Sequence, residues 1–211
     1  MVDEPTIKRA WTFVDGQNLF YAAKEAFGYT YPNYDVLKLS QTICAAKGWN
    51  PVATAFYTGH PDVSDDPFWN TFWQNKLRAM SRSGVRTFSR PLRYRNQSIK
   101  LPDDTSHTFL VGQEKGIDVR LALDVIRGAL RNDYDVALIF SQDQDLSEVA
   151  AEIRSIAAEQ NRWIKIASAF PVSPTAENRR GINNTDWIPI DRQTYNSCID
   201  PRDYRGQASA M

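Results

Sequence analysis

The chain has 211 residues, 42% of them hydrophobic and 12% aromatic, with 25 basic and 25 acidic side chains. That length suits one α/β domain with modest insertions, which buries about 70% of its extended surface, so a core forms without staples and a disordered chain is excluded. Zero net charge excludes attachment to nucleic acid by bulk charge alone, but not a local basic face, because phosphate binding depends on where the charges sit.

In chain order, the short apolar run Ala10 to Val14 ends at Asp15-Gly16 and predicts a buried strand. Helical spacing follows from Leu19 to Phe27, and again from about Asp35 to Lys47, where Gly48 is placed to cap the helix. Val52 to Tyr57 predicts a strand, Pro67 to Ser83 a long aromatic-bearing helix ended by Gly84, and Val85 to Phe88 another strand. The stretch to about Leu110 is irregular, with a hairpin as one reading. Ile117 to Leu130 is a strongly amphipathic helix, Val136 to Phe140 a continuous apolar strand, Leu146 to Ala158 a helix, and Trp163 to Ala169 a fifth strand. The tail from about Asp200 is polar and expected to fray. The expected organisation is a tail over 1–9, a domain over 10–190 and a C-terminal extension over 191–211 with a flexible end.

Strand–helix alternation of this kind predicts a mostly parallel sheet of about five strands, wrapped by helices on both faces. Ligands of such folds bind beyond the carboxyl ends of the strands, near the switch in strand order. Here those positions are acidic. Asp15 follows the first strand, Asp143 and Asp145 follow Val136 to Phe140, and Asp118 lies at the start of a helix after Glu114-Lys115-Gly116. Each has a plain structural explanation as well. Asp15-Gly16 can be a turn, Asp118 and Asp145 suit the first turn of a helix, and Asp145 with Glu148 fits a capping box. Together, however, acids from separate segments at one sheet edge repel unless a cation sits among them, and Mg²⁺ or Mn²⁺ is the natural occupant of oxygen ligands.

The other chemistries are thinly represented. Cys44 and Cys198 form no CxxC, and with His60 and His107 they match no zinc spacing. There is no GxxxxGK[ST], no GxGxxG after the first strand, and no Asp-x-Asp there for a phosphatase. No signal peptide opens the chain and no apolar run reaches the roughly 18 residues of a membrane span, so the cytoplasm is the expected location, with no membrane partner.

The neutral total conceals an asymmetry. From Pro67 to Pro102 there is no Asp or Glu, while Lys76, Arg78, Arg82, Arg86, Arg90, Arg93, Arg95 and Lys100 all occur, interleaved with aromatics. Trp69, Phe72 and Trp73 stand at helical spacing and read as core. Arg90, Arg93 and Arg95, on the irregular segment, are candidates for phosphate contact.

The segments FVDGQNL, KGIDVRLALDVIRGAL and YDVALIFSQDQDLSEV together resemble the NYN branch, LabA-like, of the PIN-like ribonucleases over roughly residues 10 to 190. The resemblance implies a PIN-like three-layer α/β/α fold and divalent-metal-dependent cleavage of RNA phosphodiesters. By the same resemblance Asp15, Asp118 and Asp143 match the metal-binding acids and Asp145 a fourth acid, with Asn18, Lys115 and Ser141 orienting ligands or touching phosphate. Gln142 stands where a glycine is usual, and Ser147-Glu148 replaces a more apolar or Pro-containing stretch. The implied partner is RNA, single-stranded in preference, with a homodimer, a protein regulator and a toxin role left open. The competing expectation is an inactive or weakly active nucleic-acid-binding or regulatory protein of the same fold.

Overall fold

The computed structural model describes residues 2–100 and 104–205. Its centre is a six-stranded sheet in the order β3-β2-β1-β6-β7-β8, in which every pairing is parallel. The strands are β1 (Arg9–Asp15), β2 (Asn50–His60), β3 (Arg86–Pro91), β6 (Val136–Phe140), β7 (Lys165–Pro171) and β8 (Asp186–Ile190). Helices α1 (Gly16–Phe27), α2 (Val36–Lys47) and α3 (Pro67–Arg82) cover one face, and α4 (Ile117–Leu130) and α5 (Ser147–Glu159) the other. This is the three-layer α/β/α arrangement expected of a PIN-like chain.

Two cores result, one on each face. Along β1, Ala10 and Val14 pack into the α1–α3 layer, while Trp11 and Phe13 pack into the α4–α5 layer. The stretch Ala10 to Val14, buried on both faces, has no position for a charged residue, and Arg9 and Asp15 stand at its half-buried ends. Thr12 is the polar exception. Its hydroxyl lies 2.6 Å from the Ser40 hydroxyl of α2, to which Thr54 of β2 also donates at 3.2 Å.

The three helices of the first face start where carboxylates cap them. Asp15, Asp35 and Asp66 accept the backbone N–H groups of Asn18, Lys38 and Trp69. Gly48 closes α2 at φ 67°, as its position after Lys47 predicts. Phe72 and Trp73 are core residues and Trp69 is half-buried beside them.

Between β3 and α4 the irregular stretch is an antiparallel hairpin, β4 (Arg93–Lys100) with β5 (Ser106–Gln113), separate from the main sheet. The sixth strand, β8, pairs with β7 at the sheet edge, and a short helix α6 (Arg192–Ser197) follows it.

The segment after α6 departs from the expected frayed tail. Asp200 and Tyr204 are buried, and the reason is Lys76. This α3 lysine is fully buried, donates to the Tyr34 carbonyl at 2.9 Å, lies 3.7 Å from Asp200, and sits over the rings of Tyr34 and Tyr204. Asp200 in turn accepts from Arg202 and from the Tyr204 hydroxyl. The flexible end expected at the C-terminus falls on residues 206–211, outside the described ones.

Burial pulls the Lys76 ammonium down to about 8, against an ordinary 10.5, with Asp200 and Asp35 opposing the shift. Burial pushes Asp200 up, but the hydrogen bonds from Arg202 and Tyr204 outweigh it and hold the carboxyl below its ordinary range. For Lys76 the unfolded chain keeps its proton well above the pH at which the fold releases it. Stability must therefore rise as pH climbs from about 8 towards 10. Relative to Lys76→Met, the unmutated protein should gain about 2–3 kcal/mol between pH 7 and 10 in urea unfolding; parallel pH profiles for the two would show that the burial does not act on this charge.

Candidate active site

The chain switches direction at β1. From there it runs outward through β2 and β3, then returns to the other side of β1 as β6. The carboxyl ends of β1 and β6 therefore flank the switch point, the crevice in which open α/β sheets bind ligands. Asp15 ends β1, and Asp143 follows β6 by a short loop.

A cleft of about 360 Å³ opens there, lined by Asp15, Gln17, Asn18, Tyr21, Glu114, Ile117, Asp118 and Asp143. Asp15 serves two ends at once. One oxygen accepts from the Asn18 amide at 3.0 Å, and the other from the Ser141 hydroxyl at 3.3 Å. Asn18 returns the link to β6, its side-chain oxygen accepting from the Gln142 backbone N–H at 2.8 Å. Asp143 caps a single 3-10 turn, accepting from the Asp145 N–H at 3.0 Å, while its own N–H donates to Ser141 at 3.1 Å.

Burial pushes the Asp15 carboxyl up to about 6, only partly opposed by its hydrogen bonds, and the charges of Asp143 and Asp118 add to the rise. Glu114 is raised for the same first reason to about 7, with Asp15 and Asp118 adding. Its carboxylate accepts the Gly59 N–H. Glycine at 59 leaves room for this approach, because a Cβ there would stand 2.7 Å from Glu114 Cγ and 2.5 Å from Leu92 Cδ2 and would force those side chains to shift. Gly16 answers a similar constraint, since a Cβ would meet the Phe56 ring at 2.4 Å where α1 starts close against β2.

Of the residues singled out in the sequence, Asp15, Asp118, Asp143 and Asn18 line one cleft, and Ser141 holds Asp15 from behind. Asp145 is exposed and lies outside that lining; its tie to the cleft is the backbone N–H on Asp143. Asp145 does not cap α5, whose first turn has no side-chain cap. Lys115 is exposed beside the cleft, its carbonyl accepting from Arg90 at 3.5 Å. Arg93 and Arg95 are exposed on the hairpin strand β4.

Two features escape the sequence. Glu114 brings a fourth carboxylate into the cleft from the end of the hairpin, where no strand-end rule points. A second cleft, about 310 Å³, lies between α4 and β3, and Arg86, Arg120, Arg127 and Arg131 are among its lining residues. Arg86 sits over the Trp11 ring at 4.6 Å, and Arg120 is held by Asp124 at 2.9 Å. The spacing of the three arginines in and just after α4 is the sequence signal that could have pointed to it.

Gln142 turns away from the carboxylates. Its amide donates to the carbonyls of Asn178 at 3.2 Å and Arg180 at 2.9 Å, fastening the 178–181 loop beside β6. Gln144 adds bonds to Gly181 and Asn183. Gln142 thus occupies the family's usual glycine position without filling the cleft.

As a donor set, acids lining one cleft, three of them half-buried and Asp118 exposed, suit a hard divalent cation, which would relieve both their repulsion and their desolvation. Among the described residues, no three acidic, His or Cys side chains are gathered into a ready metal cluster. The carboxylates share a cleft without converging on one point.

The profile of the NYN domain matches residues 9–176. The chain belongs to the NYN domain family. NYN domains are PIN-like nucleases, which in general use divalent metals and act on RNA. Among solved structures, the NYN chain is similar to a protein of unknown function, VPA0982, from Vibrio parahaemolyticus. The two share 20% identity over 90% of this chain and 97% of that one, with a TM-score of 0.53, a likeness of fold alone. A likeness to MurG of Acinetobacter baumannii, 8% identical over 86% of this chain and 45% of that one, has a TM-score of 0.34 and carries no argument. No curated protein matches the chain. No helix among the described residues of this NYN chain is long and apolar enough to cross a membrane.

Replacing Gln142 with Gly removes two hydrogen bonds to backbone carbonyls and should cost about 1–3 kcal/mol. Faster amide exchange across residues 178–183 is the expected signature; unchanged exchange there would mean that the loop is held by other contacts.

Proposed function

We propose that the protein is a divalent-metal-dependent endoribonuclease that hydrolyses phosphodiester bonds of single-stranded RNA. The observation that carries this reading is the meeting of Asp15, Glu114, Asp118 and Asp143 in one cleft at the switch point of an NYN sheet. Asp15, Asp118 and Asp143 would hold Mg²⁺ or Mn²⁺, with Glu114 as a further carboxylate at the same cleft. When bound, the metal supplies a Lewis acid for the phosphoryl oxygens and lowers the pKa of a bound water.

The chain's own groups do the positioning. Asn18 and Ser141 fix the two oxygens of Asp15, directly or through the helix start, so that its carboxylate meets the ligand in one orientation. Asp145 sets Asp143 through its N–H. Lys115 and Arg90, neighbours at the rim, are placed to receive phosphate charge. Arg93 and Arg95 extend that basic surface along β4, and the arginines of α4 and β3 offer another beyond Asp118.

A competing reading has some support. Carboxylates that share a cleft without converging would also suit a nucleic-acid-binding protein with weak or no turnover. One assay separates the two. With Mn²⁺ or Mg²⁺ and a labelled single-stranded RNA, the unmutated protein should cleave, chelator should stop it, and Asp15→Asn or Asp143→Asn should lower the rate by about 100-fold or more. Equal cleavage by all three proteins would mean contamination; binding without cleavage would favour the competing reading.

Charge reversal at Arg93 and Arg95 together should weaken RNA binding and flatten its salt dependence by about two phosphate contacts' worth. Unchanged affinity at moderate salt would take the hairpin out of the interface.

A further inference from the structure

Beside the acidic cleft lies a smaller, mostly apolar pocket of about 150 Å³. Gln17, Tyr21 and Glu114 line both, so the two are neighbours. Phe20, Trp69 and Trp73 supply the rest of its aromatic wall. Whole small molecules occupy pockets of about 300–1,000 Å³, so this one has room for a fragment, such as a single flat ring system.

Its construction is unusual for a surface recess. Tyr21 is 54% exposed at the shared edge, its ring 5.3 Å from that of Phe20. Phe20 and Trp69 are half-buried and Trp73 is buried, so Tyr21 is the aromatic of this pocket that is open to water. The Gln17 side chain makes no hydrogen bond to any of the described residues, so its amide has both donor and acceptor capacity free. An apolar slot with stacking surfaces, one unpaired amide and a larger acidic cleft next door matches one nucleotide unit, with the phosphodiester in the cleft and the base in the slot.

We propose that this pocket takes the nucleobase of the nucleotide adjoining the bound phosphodiester, stacked against Tyr21 and Trp69 with its edge facing Gln17. The inference rests on the acidic cleft being where the RNA backbone is held. It gives α1 a second role, in which Asp15 at its cap faces the phosphate while Gln17 and Tyr21, in its first turns, face the base. Base stacking on aromatic side chains tolerates any base, whereas an amide reads its edge, so stacking should set affinity and Gln17 the preference among bases.

The test is a set of short single-stranded RNAs, one intact and the others carrying one abasic nucleotide at successive positions. Binding is read by fluorescence anisotropy in Ca²⁺, and cleavage separately in Mn²⁺. At one position the abasic change should weaken binding by about 5- to 150-fold, the range of one stacked base. Tyr21→Ala, at an exposed position that leaves the fold intact, should weaken the intact RNA comparably and abolish the difference at that position. Gln17→Ala should alter the ranking among the four bases there. A flat abasic series, or a Tyr21→Ala loss equal for intact and abasic RNA, overturns the pocket while leaving the nuclease reading standing if cleavage occurs. A position-specific loss without any cleavage does the reverse. No RNA binding at all overturns both.

Discussion

Carboxylates belong in water, and this fold withholds part of that water from them. Asp15 and Glu114 are raised to about 6 and 7 chiefly by burial, and their neighbours' charges raise them further. The rest of the site can be read as a response to that constraint. Ser141 and the Asn18 amide each give Asp15 a donor, and Gly59 gives one to Glu114. None of these donors carries a full positive charge, so the repulsion is moderated and not cancelled. Bringing a cation among such acids would relieve both their repulsion and their desolvation.

The layers around the sheet keep that cleft in place. Parallel pairing of β1 with both β2 and β6 fixes where Asp15 stands relative to the β6 loop. The polar ties running Asp15–Ser141, Asn18–Gln142 and Gln142–Arg180 then join three distant stretches of chain at one spot. Gln142 illustrates how a departure from a family's usual residue is absorbed. A long side chain replaces no side chain at all, yet it points into the loop and becomes part of the support.

Much of the fold was legible because apolar periodicity is a strong signal. The bounds of α4 (Ile117–Leu130) and β6 (Val136–Phe140) coincide with those read from the sequence. β8 was hidden by Pro189, which argues against a central strand but is admissible on an edge, where β8 lies. The tail after Asp200 looked like a frayed end because its partner, Lys76, is a charged residue that no pattern rule places in a core. At the site, strand-end aspartates could be picked out by position. Glu114 could not, since the glycine that admits it is 55 residues away, and neither could the direction taken by Gln142.

The hydrogen bond from Ser141 to Asp15 closes across 126 residues of chain, and β6 lies beside β1 on the side away from β2 and β3. Contacts of such sequence separation form late, because their loop entropy must be met before they contribute. A partly folded chain therefore presents its aspartates one at a time, each an ordinary solvated acid. Their grouping in one cleft exists only once β1 and β6 lie side by side.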